Sequence, residues 1–486
     1  SRTLSINFTN LVDGNYTYNV TTRDLANNVN STQTLRIIID TVLPNNITLL
    51  SPANNTVSTN RTPLFTWNNV TELNFENYTL EIDNDVDFSS IQFTFVKTNT
   101  TTNSTHLLTS ALNDNTRYFW RVTVRDKANN QNSTTFTYTT DNTNPTVTLS
   151  SPGNNFWQTS STVNFNYIPT DAPFNANLQA CDLYGNFTSL VFAKNNTQTP
   201  TGGALNIFSF ALNDSSYTWN VQCNDSAGNA AFAANNFTVN IDTLRPNLSY
   251  SSQTEINNSY KNQDFIFVNW TYADTNFANV TFRLFNTTSN VNTTTYSTTV
   301  YQINVSNYTF YLINPNEQYT YNITAKDYAN NENLTETRTI TLDNLLPVPV
   351  YDSRTEINNT YVPRNWTFIN ITLTETNLAN ITYAISNSSF TNITIYGSRT
   401  LSINFTNLVD GNYTYNVTVR DLANNVNSTE TRTIVVDTII PLPIYNSTTE
   451  ANNTYVGRNW TYIALTLNET NLANITYAIS NSSFTN

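Results

Sequence analysis

The chain of 486 residues has no methionine, one histidine, two cysteines and nine glycines, and only 11% of its residues are charged. Each scarcity removes a class of function. With His106 as the single histidine, no histidine-based triad can recur along the chain and no His-rich metal site can form. Walker A, Gly-x-Ser-x-Gly and dinucleotide-binding glycine motifs are absent, and nothing places an acid in an apolar cleft for glycoside hydrolysis. His106, in Thr-Asn-Ser-Thr-His, reads as a solvated loop residue, and the chain is not expected to be an enzyme. Lys and Arg number 21 against 34 Asp and Glu, a net charge of −13, so no basic face is expected to neutralise a nucleic-acid backbone. The longest apolar runs, such as Phe265–Val268, are strand-sized and too short to cross a bilayer. Ser1 does not read as a natural start, so any export signal or anchor is expected outside this segment.

What is abundant is Asn, Thr, Ser and aromatics. Aromatic residues reach 13%, with 28 Tyr and 27 Phe at regular spacing, which argues against disorder. The strongest signal is internal repetition. Residues 398–437 nearly duplicate 1–40, and residues 445–486 nearly duplicate 351–392. A looser signature, Asp-x-Ala-Asn/Gly-Asn followed by an apolar run and Asp-x-x-x-Pro, starts at Asp24, Asp126, Asp225, Asp327 and Asp421. It closes at Pro44, Pro145, Pro246, Pro347 and Pro441, a period of 101, 101, 101 and 94 residues. That period fits one sandwich domain of immunoglobulin size. The expected boundaries are the C-terminal part of a domain at 1–44, complete domains at 45–145, 146–246, 247–347 and 348–441, and the N-terminal part of a domain at 442–486.

Within a unit the pattern is that of strands. In 411–420, Tyr413, Tyr415, Val417 and Val419 alternate with Asn412, Thr414, Asn416 and Thr418, the period-two pattern of a half-buried strand. Further strands are expected near 348–352, 366–373, 380–386, 391–396, 400–405 and 429–436, seven in all, and almost no helix. Trp67, Trp270, Trp366 and Trp460 fall where an early core aromatic of each unit is expected.

The stretch Asp410-Gly-Asn-Tyr-Thr-Tyr-Asn-Val-Thr-Val-Arg-Asp-Leu-Ala-Asn-Asn425, closing in Val436-Asp-Thr-Ile-Ile-Pro441, resembles the prokaryotic Ig-like repeats of bacterial adhesins and archaeal S-layer or other surface glycoproteins. Residues 45–145, with Leu112-Asn-Asp-Asn-Thr-Arg-Tyr-Phe-Trp-Arg-Val122, look closer to fibronectin type III. The resemblance implies an all-β array of tandem seven-stranded sandwiches. Leu11/Tyr16, Leu112/Tyr118, Leu212/Tyr217, Ile313/Tyr319 and Leu408/Tyr413 resemble the tyrosine corner of such domains, in which the phenol bonds upstream backbone. Asn mostly replaces the glycine of the turn motif, which Gly228 keeps; Asn tolerates the left-handed conformation needed there.

Three kinds of site are expected. Cys181 and Cys223 lie on predicted neighbouring strands of one unit and are expected to form a disulfide in an exported chain. Asn-x-Ser/Thr acceptors number 43, about twice the roughly 21 expected at random. Strand alternation itself creates some of them, yet N-glycans are expected at Asn7, Asn15, Asn19, Asn30, Asn46, Asn54, Asn77, Asn132, Asn186, Asn236, Asn269, Asn322, Asn365, Asn404, Asn412, Asn416, Asn427, Asn446 and Asn459. For metal, Asp24 with Asp40 and Asp421 with Asp437 are expected at one pole of a domain, where calcium could sit, with Glu255, Glu356 and Glu450 as added oxygens. The competing reading is that the first Asp makes an Asx turn and the second ends a strand.

The expected function is structural: an extracellular stalk, filament or S-layer-like component that self-associates, forming a rod of roughly 180 Å at about 3.4 Å per strand residue. The alternative is an adhesin that grips glycans or surface partners through sandwich-end loops. The terminal segments add a further expectation. Placed end to end they rebuild one domain lacking only the counterpart of Ile393–Gly397, so they come from a longer continuous chain or from subunits that complete each other.

Overall fold

The structure is a computed structural model that describes residues 2–98, 104–173, 177–188, 190–297, 307–311 and 313–485. Among the described residues there is no α-helix, as the absence of any 3.6-residue apolar period predicts. The chain divides into two compact units, 1–244 with 328–331, and 245–327 with 332–486.

The segment 348–441 shows the repeating architecture. Its strands are β1 (Val348–Tyr351), β2 (Thr360–Val362), β3 (Thr367–Thr374), β4 (Leu378–Ser386), β5 (Thr391–Tyr396), β6 (Ser402–Phe405), β7 (Gly411–Asp421), β8 (Val426–Ser428) and β9 (Arg432–Val436). One sheet has the order β1-β3-β6; the other runs β2-β9-β7-β4-β5, with β8 also paired to β7. Only β2 and β9 run parallel; the remaining pairs are antiparallel. This is the two-sheet arrangement of Ig-like and fibronectin type III-like sandwiches, and the chain is a tandem array of them.

Alternation fills the space between the sheets. In β7, Tyr413, Tyr415, Val417 and Val419 are buried while Asn412 and Thr414 face solvent. They meet Ile369 and Ile371 from β3, and Ile381, Tyr383 and Ile385 from β4, in one core. Burial of side chains of this size stabilises by about 1.5–3 kcal/mol each, so the fold does not depend on the sparse charges. Equivalent cores lie around Trp67 and Trp120 in 45–145, around Trp219 and the cysteine pair in 146–246, and around Trp270 and Phe282 in 247–347.

The tyrosine corner is present in every repeat. Tyr16, Tyr217, Tyr319 and Tyr413 donate from the phenol to the carbonyls of Val12, Asn213, Asn314 and Val409 at 2.8, 3.1, 3.1 and 3.0 Å, and the Tyr118 hydroxyl accepts from the Asn113 amide at 2.8 Å. The turn after each of these strands also behaves as its sequence implies. Its fourth residue is left-handed, with φ between 69° and 73° at Asn27, Asn129, Asn330 and Asn424, and 96° at Gly228.

Three expectations are corrected. Segment 348–441 has nine strands, and 45–145 has eight among its described residues, rather than seven; the extra two in 348–441 are the three-residue β2 and β8, too short to show alternation. Trp67 and Trp270 are core residues, but Trp366 and Trp460 are exposed. Trp366 precedes the first residue of β3, and Ile371 takes the inward place opposite Tyr351 that Trp270 holds opposite Tyr250. The exposed indoles lie instead under the guanidinium groups of Arg364 and Arg458, at 4.3 and 4.2 Å. Lastly, His106 is not in a loop. It belongs to the strand Thr105–Leu107, its ring centroid 3.8 Å from that of Phe95, and burial together with Lys97 lowers its pKa.

Candidate metal centre at the domain joints

The position of each acid follows from the hairpin formed by the last two long strands. In 348–441, β7 runs from Gly411 to Asp421 and β9 returns so that Val436 pairs with Gly411. Asp421 therefore stands at the hairpin tip, while Asp437 is back at the level of Asp410, whose carboxylate accepts from the Thr438 amide at 3.0 Å. Eleven residues at about 3.3 Å separate the two ends, on the order of 35 Å. Asp24 and Asp40 are arranged likewise, with Gly14 paired to Ile39. The pairing expected within one domain is thus not made; its two acids lie at opposite poles.

The acid that closes one repeat instead meets the turn acid of the next. Carboxylate oxygens of Asp40, Glu72 and Asp126 lie within 4.8 Å of one another, as do those of Asp141, Asp171 and Asp225, and those of Asp343, Glu375 and Asp421. The third acid of each trio escaped the sequence reading. In two of the trios, at Glu72 and Glu375, it sits in an Asp/Glu-x-Asn motif that recurs at Glu72-Leu-Asn74, Asp274-Thr-Asn276, Glu375-Thr-Asn377 and Glu469-Thr-Asn471, each 32 positions after a linker Asp (Asp40, Asp242, Asp343 and Asp437); Asp171, followed by Ala-Pro, is outside the motif. That recurrence was the available signal. Glu255, Glu356 and Glu450 lie elsewhere, in ion pairs with Lys261 at 2.9 Å, with Arg364 and with Arg458. A nearby cation claims each of them.

Two asparagines clasp each of these three joints. Nδ2 of Asn74, Asn177 and Asn377 donates to the Oδ2 of the linker acids Asp40, Asp141 and Asp343 at 2.6, 3.1 and 2.6 Å. Nδ2 of Asn130, Asn229 and Asn425 donates to the backbone carbonyls of the same acids at 3.1, 3.1 and 2.8 Å. The latter three also bond the turn acid, as Asn425 does to Asp421 Oδ2 at 2.7 Å. Asn425 is 3% exposed, and its Oδ1 finds no hydrogen-bond partner among the described residues.

The electrostatics are those of crowded like charges. Asp141, Asp171 and Asp225 are at most 1% exposed. Burial, and then the charges of Asp141 and Asp225, push the Asp171 carboxyl up to about 6. Glu375 is raised by burial first, with Asp343 and Asp421 adding to it. Asp24, whose carboxylate accepts from the amide and side chain of Asn28, is held below the usual range. Asp437 accepts from Asn471 at 3.0 Å.

Cys181 and Cys223 are joined. They stand directly opposite each other on Leu178–Gly185 and Ser215–Asp225, with Cα atoms 4.0 Å apart. Of the proposed glycan acceptors, Asn365, Asn404 and Asn412 are exposed and Asn416 is half-buried. Others are engaged in the fold. The amides of Asn132 and Asn427 donate to the carbonyls of Pro44 and Pro347 at 3.4 and 2.9 Å, and Asn54 and Asn186 accept from the amides of Thr137 and Thr218.

No protein-family model matches the chain, and no curated protein is significantly similar to it. Among solved structures, the tetra-tandem repeat in the extending region of a large adhesion protein aligns with a TM-score of 0.31 and 17% identity, covering 81% of this chain and 99% of that one. The FN1-FN3 domains of chicken CNTN1 align with a TM-score of 0.25 and 12% identity over 62% and 98%. The fibronectin(III)-like modules of Clostridium thermocellum CbhA align at 0.25 and 13% over 40% and 94%.

Proposed function

We propose that this chain is a spacer segment of an extracellular, N-glycosylated surface or adhesion protein, in which calcium at the joints holds successive sandwiches in fixed register. The observation that carries the reading is the repeated joint: three carboxylates within 4.8 Å, clasped by two asparagines, at Asp40, Asp141 and Asp343 alike. Its donors are all oxygen, with no thiol or imidazole, which suits a hard cation. The three acids would hold the ion, and the ion would offset the repulsion among their crowded carboxylates. The half of each joint already clasped by asparagine keeps the linker short and ordered, as a spacer requires.

Secretion is supported by the Cys181–Cys223 bond, since such bonds persist in oxidising compartments. Glycans on exposed positions such as Asn404 and Asn412 would give the solubility that charge does not. The test is calcium titration of the full chain by calorimetry and small-angle scattering. Calcium should bind at several sites and narrow the spread of interdomain orientations. Asp126→Asn with Asp421→Asn should remove two of those sites. Absence of calcium binding, or selective capture of one glycan on an array, would sink the spacer reading.

A further inference from the structure

The linkers 40–44 and 343–347 are docked on the following sandwich at both of their ends. The clasping asparagines hold the acid of each, and a third asparagine, six positions after the turn acid, holds its proline. Nδ2 of Asn132 and Asn427 donates to the carbonyls of Pro44 and Pro347 at 3.4 and 2.9 Å, and Asn333 makes the same contact with Pro246 at 2.9 Å. In 146–246 that position is Ala231, so the sandwich itself does not require asparagine there. All three asparagines nevertheless begin glycan acceptors, in Asn132-Ser-Thr134, Asn333-Leu-Thr335 and Asn427-Ser-Thr429.

The hydroxyl two places on, which such an acceptor requires, is also committed to the fold. Thr134 Oγ1 donates to the Ile47 carbonyl at 2.7 Å, while the Thr335 and Thr429 hydroxyls accept from the amides of Ile323 and Val417, both at 3.0 Å. The asparagine side chains have further partners. Asn132 Nδ2 also donates to Asn46 Oδ1 at 2.6 Å, and Oδ1 of Asn333 and of Asn427 accepts from the Leu334 and Ser428 amides, both at 2.9 Å. By contrast, Asn404 in β6 and Thr406 just after it are both exposed, and β6 is the edge of its sheet. N-glycosyl transfer breaks one Nδ2–H bond and the bond between C1 of a sugar and the phosphate of its lipid-linked donor. It forms the Nδ2–C1 bond, and the proton leaves with the released phosphate. The transferase must take the amide and the hydroxyl together, and in the docked joint both are engaged.

We propose that Asn132, Asn333 and Asn427 are conditional glycosylation sites, open to transfer only while the linker is undocked from its sandwich. The inference rests on the N-glycosylation of this chain proposed above. Sugar at these three positions then records joints that were open during transfer, whereas sugar at Asn404 records only exposure. Modification also acts back on the joint. An asparagine amide has two N–H groups, and Asn132 uses its nitrogen for two bonds, so a glycan there removes one of the contacts that hold the linker.

The test treats the unglycosylated 486-residue chain with an oligosaccharyltransferase that accepts any Asn-x-Ser/Thr and with its lipid-linked oligosaccharide. Occupancy is read site by site by mass spectrometry. In the folded chain Asn404 should be modified, and the three joint sites at least about tenfold less, since two engaged groups must be released together. After reduction in urea all four should be modified alike. Asn425→Ala removes the clasp on the Asp343 carbonyl and should raise occupancy at Asn427 but not at Asn132 or Asn333. Asn370, an acceptor in β3 that is 6% exposed, should stay unmodified and so show that the sandwich remains folded. Asn377→Ala, which frees the Asp343 carboxylate, takes its place if Asn370 is modified. Four results would each overturn the proposal: joint sites modified in the folded chain as fully as Asn404, joint sites refused by the unfolded chain, Asn404 as unreactive as they are when folded, or Asn427 unchanged in the folded variants. Sugar missing from Asn404 and Asn412 of native material would instead sink the reading on which the proposal rests.

Discussion

The sandwiches 146–246 and 348–441 place the same two strands side by side but fill one central position differently. Cys181 faces Cys223 in the first, at the place where Ile381 faces Val419 in the second. The remaining units use Tyr78 with Val124 and Val280 with Ala325, and all of these residues are completely buried. A covalent bond and three different apolar pairs therefore serve one site. The topology does not depend on the bond; packing between the sheets sets it, and the disulfide is a local addition to one repeat.

The largest expected effect breaks that comparison at the bond. Replacing Cys181 and Cys223 by serine should destabilise 146–246 by about 4 kcal/mol, the chain-entropy value for a loop of 42 residues. Substituting isoleucine and valine, the pair found in 348–441, should recover part of this by restoring apolar contact. Calorimetry should show one transition moving in both variants while the others hold. If the serine pair melts with the wild type under oxidising conditions, the bond contributes nothing and the comparison fails.

Calcium sharpens the comparison at the joints, since both sandwiches carry a trio but one uses Asp171 and the other Glu375 as the third acid. At a calcium concentration a hundredfold above the dissociation constant, each liganded unit should gain about 2.7 kcal/mol. Asp171→Asn should abolish the gain in 146–246 only, and Glu375→Gln in 348–441 only. Equal calcium response in both variants and the wild type would assign the effect to other residues.

The repeat period, the strands and the tyrosine corner were legible because they rest on local pattern: alternation in Gly411–Asp421, an Asn able to take positive φ at Asn424, and Leu408 ahead of Tyr413. The joint was not. Asp40 and Asp126 come together across a distance close to a whole repeat, and Asp24 looked the better partner only because it is nearer in sequence. Spacing of 16 residues across a hairpin says nothing about which pole each acid reaches; that depends on where the strands begin and end. Trp366 shows the same limit, since it stands one place ahead of β3, where Phe265 stands in 247–347, while Ile371 holds the inward place of Trp270.

The smallest expected difference lies in the tyrosine corner. Tyr413 donates to the Val409 carbonyl at 3.0 Å and also accepts from the Val409 amide at 3.2 Å, whereas Tyr217 donates to the Asn213 carbonyl at 3.1 Å. Each ring also packs edge-on against one phenylalanine, Phe390 or Phe187, so the aromatic contact is matched and the hydroxyl is what differs. Removing the hydroxyl keeps the ring in place and strands the backbone groups it served. A net hydrogen bond contributes about 1 kcal/mol, and an abandoned buried partner costs more than an exposed one. Tyr413→Phe should therefore cost about 1.5 kcal/mol and Tyr217→Phe about 1 kcal/mol, each read from the calorimetric transition of its own sandwich. Equal losses would mean that the Val409 amide finds water when the phenol is gone, and that one bond, not two, holds this corner.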